Sequence, residues 1–463
     1  MKKQHTLSMK KQPRHPLRIY HLLAGALALS LQAGELERLY SFTQETKLKG
    51  GFREWNGRWY FTAEKGGDHG SGYIGRFDPV AGTLTPIHSF TVEAKPKGPL
   101  VQVGEVFYLQ GEKGSTQTGF GWIGRFDPAT GQFTEVAAYN ADLKPKSGLV
   151  PAGGFLWLAT EKGGTGSGSL DRFDPSTGVL TNMVNLSFET GIKAESFAVG
   201  PDGTALYMAA REGGDAGQLA GKGAGTLLRL QTATGELTRL AVFRATEHGA
   251  KPRGLTLHGD RLWMVMEEGG DLSLNSGKGG GTIAYFDLST GTLSRVHVFD
   301  GTPTGQKPRG LARVGDDFYF VTEAGGLSGY GVFGVLRQGT VVEVLAELTA
   351  DTGAKPDSFL TVLNHRIVFS TELGGANSLG SILAWSLPSQ PPVPPELMLT
   401  RTENGKLRLS WPDPTGRFVL QQTSALGFGS WQDWPGTPEL HEGRAAVELA
   451  PEAAAAFFRL RNQ

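Results

Sequence analysis

One unit, written seven times, limits this chain more than any other feature of its sequence. Glu64-Lys-Gly-Gly67, Glu161-Lys-Gly-Gly164, Glu267-Glu-Gly-Gly270, Glu323-Ala-Gly-Gly326 and Glu372-Leu-Gly-Gly375 share one pattern, and Glu112-Lys-Gly114 and Arg211-Glu-Gly-Gly214 complete the set. A lysine stands upstream of each: Lys47, Lys95, Lys144, Lys193, Lys251, Lys307 and Lys355. Three residues after each lysine the side chain is always tiny: Gly50, Gly98, Ser147, Ser196, Gly254, Gly310 and Ser358. A period of roughly 50 residues means a supersecondary unit that buries its apolar face only by stacking on neighbours.

Each copy reads as four short strands. In the second copy they run Gly98 to Val103, Val106 to Gly111, Gly121 to Phe126 and Gln132 to Tyr139, with an Asp-Pro-x-x-Gly turn before the last. Setting Lys97 opposite Glu112 puts the first hairpin turn on Gly104-Glu105. The same rule gives Asn56-Gly57, a strong two-residue hairpin signal, then Gly153-Gly154 and Asn364-His365. It predicts three-residue turns at Gly259-Asp-Arg261 and Gly315-Asp-Asp317, and a longer loop around Gly200-Pro-Asp-Gly203. Four strands per unit in seven copies predict an all-β fold, a seven-bladed β-propeller over residues 36–387. The strand Leu36 to Phe42 aligns with the fourth strands, and the last copy, Lys355 to Trp385, lacks one. The N-terminal strand is therefore expected to complete the last blade and close the ring, which removes two open sheet edges.

Leu39-Tyr-Ser-Phe42 and Ile87-His-Ser-Phe90, each followed by a small-residue strand and Gly-Gly, resemble the Gloeo-Verruco (GloVer) propeller repeat across residues 36–387. That resemblance implies a secreted bacterial propeller and carries over no catalytic residue. The chain departs from the usual pattern in placing Glu, rather than a small polar residue, before Gly-Gly.

The two ends differ from the repeats. Residues 1–33 read as an export signal: basic residues precede the apolar run Leu22 to Leu31, which is too short to span a bilayer, and cleavage is expected after Ala33. Met-Lys-Lys-Gln occurs at Met1 and again at Met9, a second candidate start. Residues 388–396 form a stiff Pro-rich linker, and residues 397–463 alternate like strands of a small fibronectin- or immunoglobulin-like β-sandwich. Of Trp411, Trp431 and Trp434, at least two are expected in its core rather than in a sugar platform.

Composition excludes several chemistries. Cys is absent, so disulfides, thiolate metal sites and Cys nucleophiles are ruled out. Lys+Arg and Asp+Glu are 45 each, which lacks the basic footprint of a nucleic-acid binder. The His residues show no metal spacing, no Gly-x-Ser-x-Gly elbow occurs, and the Gly-rich loops lead into strands rather than phosphate-binding helices. No cofactor, metal or membrane span is expected, and the chain is expected to be a monomer.

The repeated residues divide into structural and functional candidates. The tiny residue belongs where strands crowd together. The aromatic stripe Tyr60, Tyr108, Trp157, Tyr207, Trp263 and Tyr319 belongs between neighbouring sheets. By the hairpin rule Glu64, Glu112, Glu161, Glu267 and Glu323 face Lys49, Lys97, Lys146, Arg253 and Arg309, one rim ion pair per copy. The fourth copy inverts the pair, with Glu195 facing Arg211. The seventh sets Asp357 against Glu372, with Lys355 to compensate. Symmetry breaks most in the fourth and fifth copies, whose loops Gly213 to Gly225 and Gly269 to Gly281 are the longest. The candidate binding residues are therefore Glu195, Arg211, Asp215, Lys222, Glu267, Asp271 and Lys278. An extracellular binding or scaffold protein with a glycan or protein ligand is the first expectation. A hydrolase or lyase acting on a glycan or lactone, using top-face Glu and Lys, is the second, and a structural surface protein the third.

Overall fold

The computed structural model describes residues 34–163, 166–387 and most of 397–462. The export signal and the Pro-rich linker lie outside the described residues. The chain divides into two compact units, Ala33–Leu387 and one containing Pro388–Gln463. The described regular structure is strand throughout, apart from two short 3-10 turns at Leu219–Gly221 and Asn275–Gly277.

In the larger unit the strands form seven antiparallel sheets, each made of strands consecutive in sequence except the last. The second sheet, for example, contains Pro96–Val103, Val106–Gly111, Trp122–Phe126 and Phe133–Ala138, paired in that order. The seventh pairs Ala354–Pro356 and Thr361–Leu363 with Arg366–Leu373, then Ser381–Ser386, and its outer place is taken by Leu36–Ser41. Leu36 lies opposite Trp385 and Ser41 opposite Ser381.

The turn residues explain the hairpins. Asn56 and Gly57 both have positive φ, 49° and 73°, as a two-residue hairpin turn requires. The fifth and sixth turns are shorter than the three residues expected: His258 pairs with Arg261 and Val314 with Asp317, which leaves two-residue turns. The extra residue is absorbed lower down. In the second sheet Val101 pairs with Tyr108, but Lys97 pairs with Gln110 rather than Glu112, because the innermost strand bulges between them. Comparable slips occur between Ala194 and Ser196, between Arg253 and Thr256, and between Pro308 and Gly310. The repeated lysine lies just before these slips, which fall at Glu195 in the fourth sheet and at Arg309 in the sixth. Lys95, Lys144, Lys193, Lys251, Lys307 and Lys355 hold positive φ of 44°, 53°, 59°, 56°, 56° and 56°. A non-Gly residue held in this left-handed region costs about 1 kcal/mol or more.

The core is divided by interface. One apolar cluster lies between each successive pair of sheets, and another joins the seventh sheet to the first through Val368, Ile382 and Ala384 against Trp59, Phe61 and Phe77. The aromatic stripe sits in these seams as expected. Tyr60 packs 5.7 Å from Phe107 of the next sheet, Tyr108 5.9 Å from Phe173, and Trp263 4.6 Å from Phe318. Burying each such side chain contributes about 1.5–3 kcal/mol.

The smaller unit has a four-stranded sheet, containing Leu407–Pro412 and Arg444–Leu449, and a three-stranded sheet, containing Phe418–Thr423 and Phe457–Asn462. Leu409, Trp411, Leu420, Val447 and Leu460 form its core. Trp434 packs against that core, and Trp431 lies under the Arg459 guanidinium at 4.4 Å.

Candidate binding site

The charged side chains converge at the foot of the innermost strands. Two residues after each repeated lysine stands Lys49, Lys97, Lys146, Glu195, Arg253, Arg309 or Asp357. These residues, one from each of the seven copies, line one cavity of about 220 Å³, together with Arg211. Six cations therefore face it, against the carboxylates of Glu195 and Asp357. The tiny residues set its floor. A Cβ on Gly50 would stand 1.8 Å from the Gly98 carbonyl oxygen, and one on Gly98 2.2 Å from the Gly148 Cα. The serines earn their place by bonding: Ser147 Oγ accepts from Ala159 N–H at 2.8 Å, and Ser358 Oγ accepts from Ser370 N–H at 2.8 Å.

The ion pairs are more connected than one per copy. Within a sheet, Lys146 pairs with Glu161 at 2.8 Å, Arg211 with Glu195 at 3.2 Å, Arg253 with Glu267 at 2.8 Å, and Arg309 with Glu323. Lys97 meets Glu112 at 3.4 Å but also bonds Glu64 of the first sheet. Lys49 does not pair with Glu64; it reaches Asp357 and, at 2.5 Å, Glu372 of the seventh sheet. Lys355 meets Glu372 at 2.6 Å, as the seventh copy's like-charged pair required.

Glu267 is the centre of the densest part. Its carboxylate accepts from Arg211 at 2.6 Å and Arg253 at 2.8 Å, and Arg309 Nη1 stands 2.8 Å away. Burial alone would raise its pKa, but the guanidiniums of Arg253, Arg211 and Arg309 overcome this and hold it at about 2. The same contest runs elsewhere in the cavity. Burial opposes the charge on Lys49 and Lys146, yet Asp357 and Glu161 respectively raise these ammonium pKa values. Burial opposes ionisation of Asp357 and Glu372, yet Lys49, Arg253 and Arg309 lower the first and Lys355 and Lys49 the second.

Of the residues singled out from sequence, Glu195 and Arg211 line the cavity and Glu267 joins them through Arg211. The other four stand apart in the long loops. Asp215 accepts from Gly217 N–H at 2.8 Å and Asp271 from Ser273 N–H at 2.9 Å, which are local turn bonds. The carbonyls of Lys222 and Lys278 accept from Gly213 and Gly269, and their side chains are exposed. Lys49, Lys97, Lys146, Arg253, Arg309 and Asp357, which the hairpin rule makes rim pairs, line this cavity as well. Their shared offset from the repeated lysine was the available signal; the convergence that gives it meaning was not visible.

Because Arg211 serves both Glu195 and Glu267, exchanging charges cannot repair it. Arg211→Glu is expected to destabilise by about 3 kcal/mol or more, since it sets three carboxylates together. Adding Glu195→Arg should recover less than half of the loss in urea unfolding; full recovery would show that the Glu267 contact contributes nothing.

The repeat pattern matches a known family over residues 144–383, just over half of the chain. The chain belongs to the Gloeobacter/Verrucomicrobia repeat family. No curated protein sequence matches it. Among solved structures, this β-propeller repeat protein is similar to the extracellular domain of a putative hybrid two-component system from B. thetaiotaomicron. That likeness has TM-score 0.54 and 12% identity, and covers 83% of this chain and 46% of the other, so this chain spans about half of that structure's length. It is also similar to an oligogalacturonate lyase from Vibrio parahaemolyticus, with TM-score 0.53 and 10% identity, covering 78% and 95%. At these identities the likeness is one of fold.

Proposed function

We propose that this Gloeobacter/Verrucomicrobia repeat protein is an extracellular binding protein. In this reading its seven sheets are the blades of a closed propeller, and the charged cavity takes an acidic group of a glycan. The smaller unit is its appended β-sandwich. The export-signal reading of residues 1–33 supports the location. The pairing of Leu36–Ser41 with Ser381–Ser386 supports closure. One observation carries the function: six cations face a cavity of about 220 Å³ against two carboxylates. That volume suits a carboxylated or sulfated sugar terminus rather than a whole chain.

The ionisation pattern favours binding over acid–base chemistry. Lys49 and Lys146 are shifted toward the ammonium form, and Glu267, Asp357 and Glu372 toward the carboxylate. A general base or acid needs a pKa near the working pH. These groups are moved away from it, so their chemistry is that of fixed charges. Asp215, Lys222, Asp271 and Lys278 then form an outer edge around the fourth and fifth sheets, where a longer ligand would continue.

The test is calorimetric titration with glucuronate and with inorganic sulfate at low and high salt. Binding should weaken as salt rises. Lys146→Ala removes a cavity cation that pairs with Glu161, and should weaken binding about fivefold or more while the protein stays folded. Salt-independent binding, or none, would overturn the reading. Turnover of oligogalacturonate would place the chain with lyases instead.

A further inference from the structure

A second cleft, of about 460 Å³, opens between the sixth and seventh sheets. Tyr330 and Leu373 line it together with Glu323, Lys355 and Ser378. Its composition departs from the repeat. The residue after the acidic position is charged in the first three copies, as Lys65, Lys113 and Lys162, and in the next two, as Glu212 and Glu268. In the seventh copy that place is Leu373, which is 52% exposed. A second break lies across the cleft. Tyr330 bridges Gly325 in the same way that Ser71 bridges Gly66 in the first copy, so a large ring stands where a hydroxymethyl group suffices. Tyr330 is 44% exposed; it and Phe359, which lines the charged cavity, are the two exposed aromatic side chains among the described residues.

An open ring face beside an apolar wall, with a carboxylate, an ammonium and a hydroxyl around it, has the two-sided chemistry of a sugar ring. We propose that this cleft binds a neutral pyranose unit, with its C–H face on Tyr330 and its hydroxyls toward Lys355, Glu323 and Ser378. The existing pairs leave capacity for this. Lys355 spends one of its N–H donors on Glu372, and Glu323 meets Arg309, while an ammonium has three donors and a carboxylate about four acceptor sites. An apolar peptide side chain would instead strip water from Lys355 and Glu323 without replacing its hydrogen bonds, which is costly. The cleft falls within the roughly 300–1,000 Å³ range of small-molecule sites.

The experiment screens the full-length protein against an array of neutral oligosaccharides, then measures the best of them by calorimetry at low and high salt. Tyr330→Ala should weaken binding about tenfold, and Tyr330→Phe should keep it within about threefold, because the face and not the hydroxyl is used. Leu373→Lys, which restores the charge found in the first three copies, should weaken it comparably. Both side chains are exposed, so the unfolding midpoint should not move. Neutral-sugar binding should survive high salt and the Lys146→Ala change, so failure here and failure of the charged cavity read out separately. No neutral saccharide bound, an unaffected Tyr330→Ala variant, or an apolar peptide captured in its place would overturn the proposal.

Discussion

Glu267→Gln should cost the larger unit about 3–5 kcal/mol, because it removes a carboxylate shared by three guanidiniums. Arg211, Arg253 and Arg309 are only 17%, 24% and 12% exposed at the side chain, so water cannot take over the carboxylate's part. Neutralising a shared partner leaves like charges facing one another, a larger loss than deleting any one arginine. Urea unfolding followed by tryptophan fluorescence measures it; a loss below about 1 kcal/mol would place the cluster among solvent-screened surface pairs. The same group sets an acid limit. Its carboxyl titrates near 4.5 when unfolded and at about 2 when folded. A depressed folded pKa means the stabilisation is fully present above 4.5 and is lost as pH falls through 2, amounting to about 3 kcal/mol. In Glu267→Gln that part of the acid dependence should be missing.

Gly50→Ala is expected to be at least as damaging, by a different route. The added Cβ would stand 1.8 Å from the Gly98 carbonyl oxygen and 2.3 Å from its carbon, both backbone atoms of the next sheet. No side chain can rotate away, so the first and second sheets must separate. A cost of about 3 kcal/mol or more, or failure to accumulate folded protein, is expected. Gly57→Ala is the comparison: nothing lies within 4 Å of its Cβ, and only its φ of 73° opposes the change. That variant should lose about 1 kcal/mol. Equal losses at the two positions would mean that backbone conformation, rather than crowding between sheets, explains the recurring tiny residue at Gly50.

The pairing of hairpins was legible because turn chemistry is local. Asn56-Gly57, Gly153-Gly154 and Asn364-His365 fall where the sequence put them, since only residues tolerant of positive φ fit such turns. The aromatic stripe was legible for a similar reason, because a large apolar ring recurring at one offset must recur in one environment. The hairpins of the fifth and sixth copies were each misjudged by one residue. There the extra residue lies in a bulge at the foot of the innermost strand, far from the turn that counting assigned it to. The charged pairs were misread through the same assumption. Lys49 was set opposite Glu64, yet it reaches across to Asp357 and Glu372, more than 300 residues away in the chain.

Seven copies, four strands in each, a tiny residue on every innermost strand and a charge two residues after every lysine belong to the sequence alone, because each follows from a local preference repeated in register. Which carboxylate meets which cation, and that six of the cations share one cavity, belonged to the tertiary structure. Six of the seven repeated lysines hold a left-handed conformation just before the charged position, and the side chains that follow meet whatever the neighbouring sheet presents. No local rule encodes that neighbour.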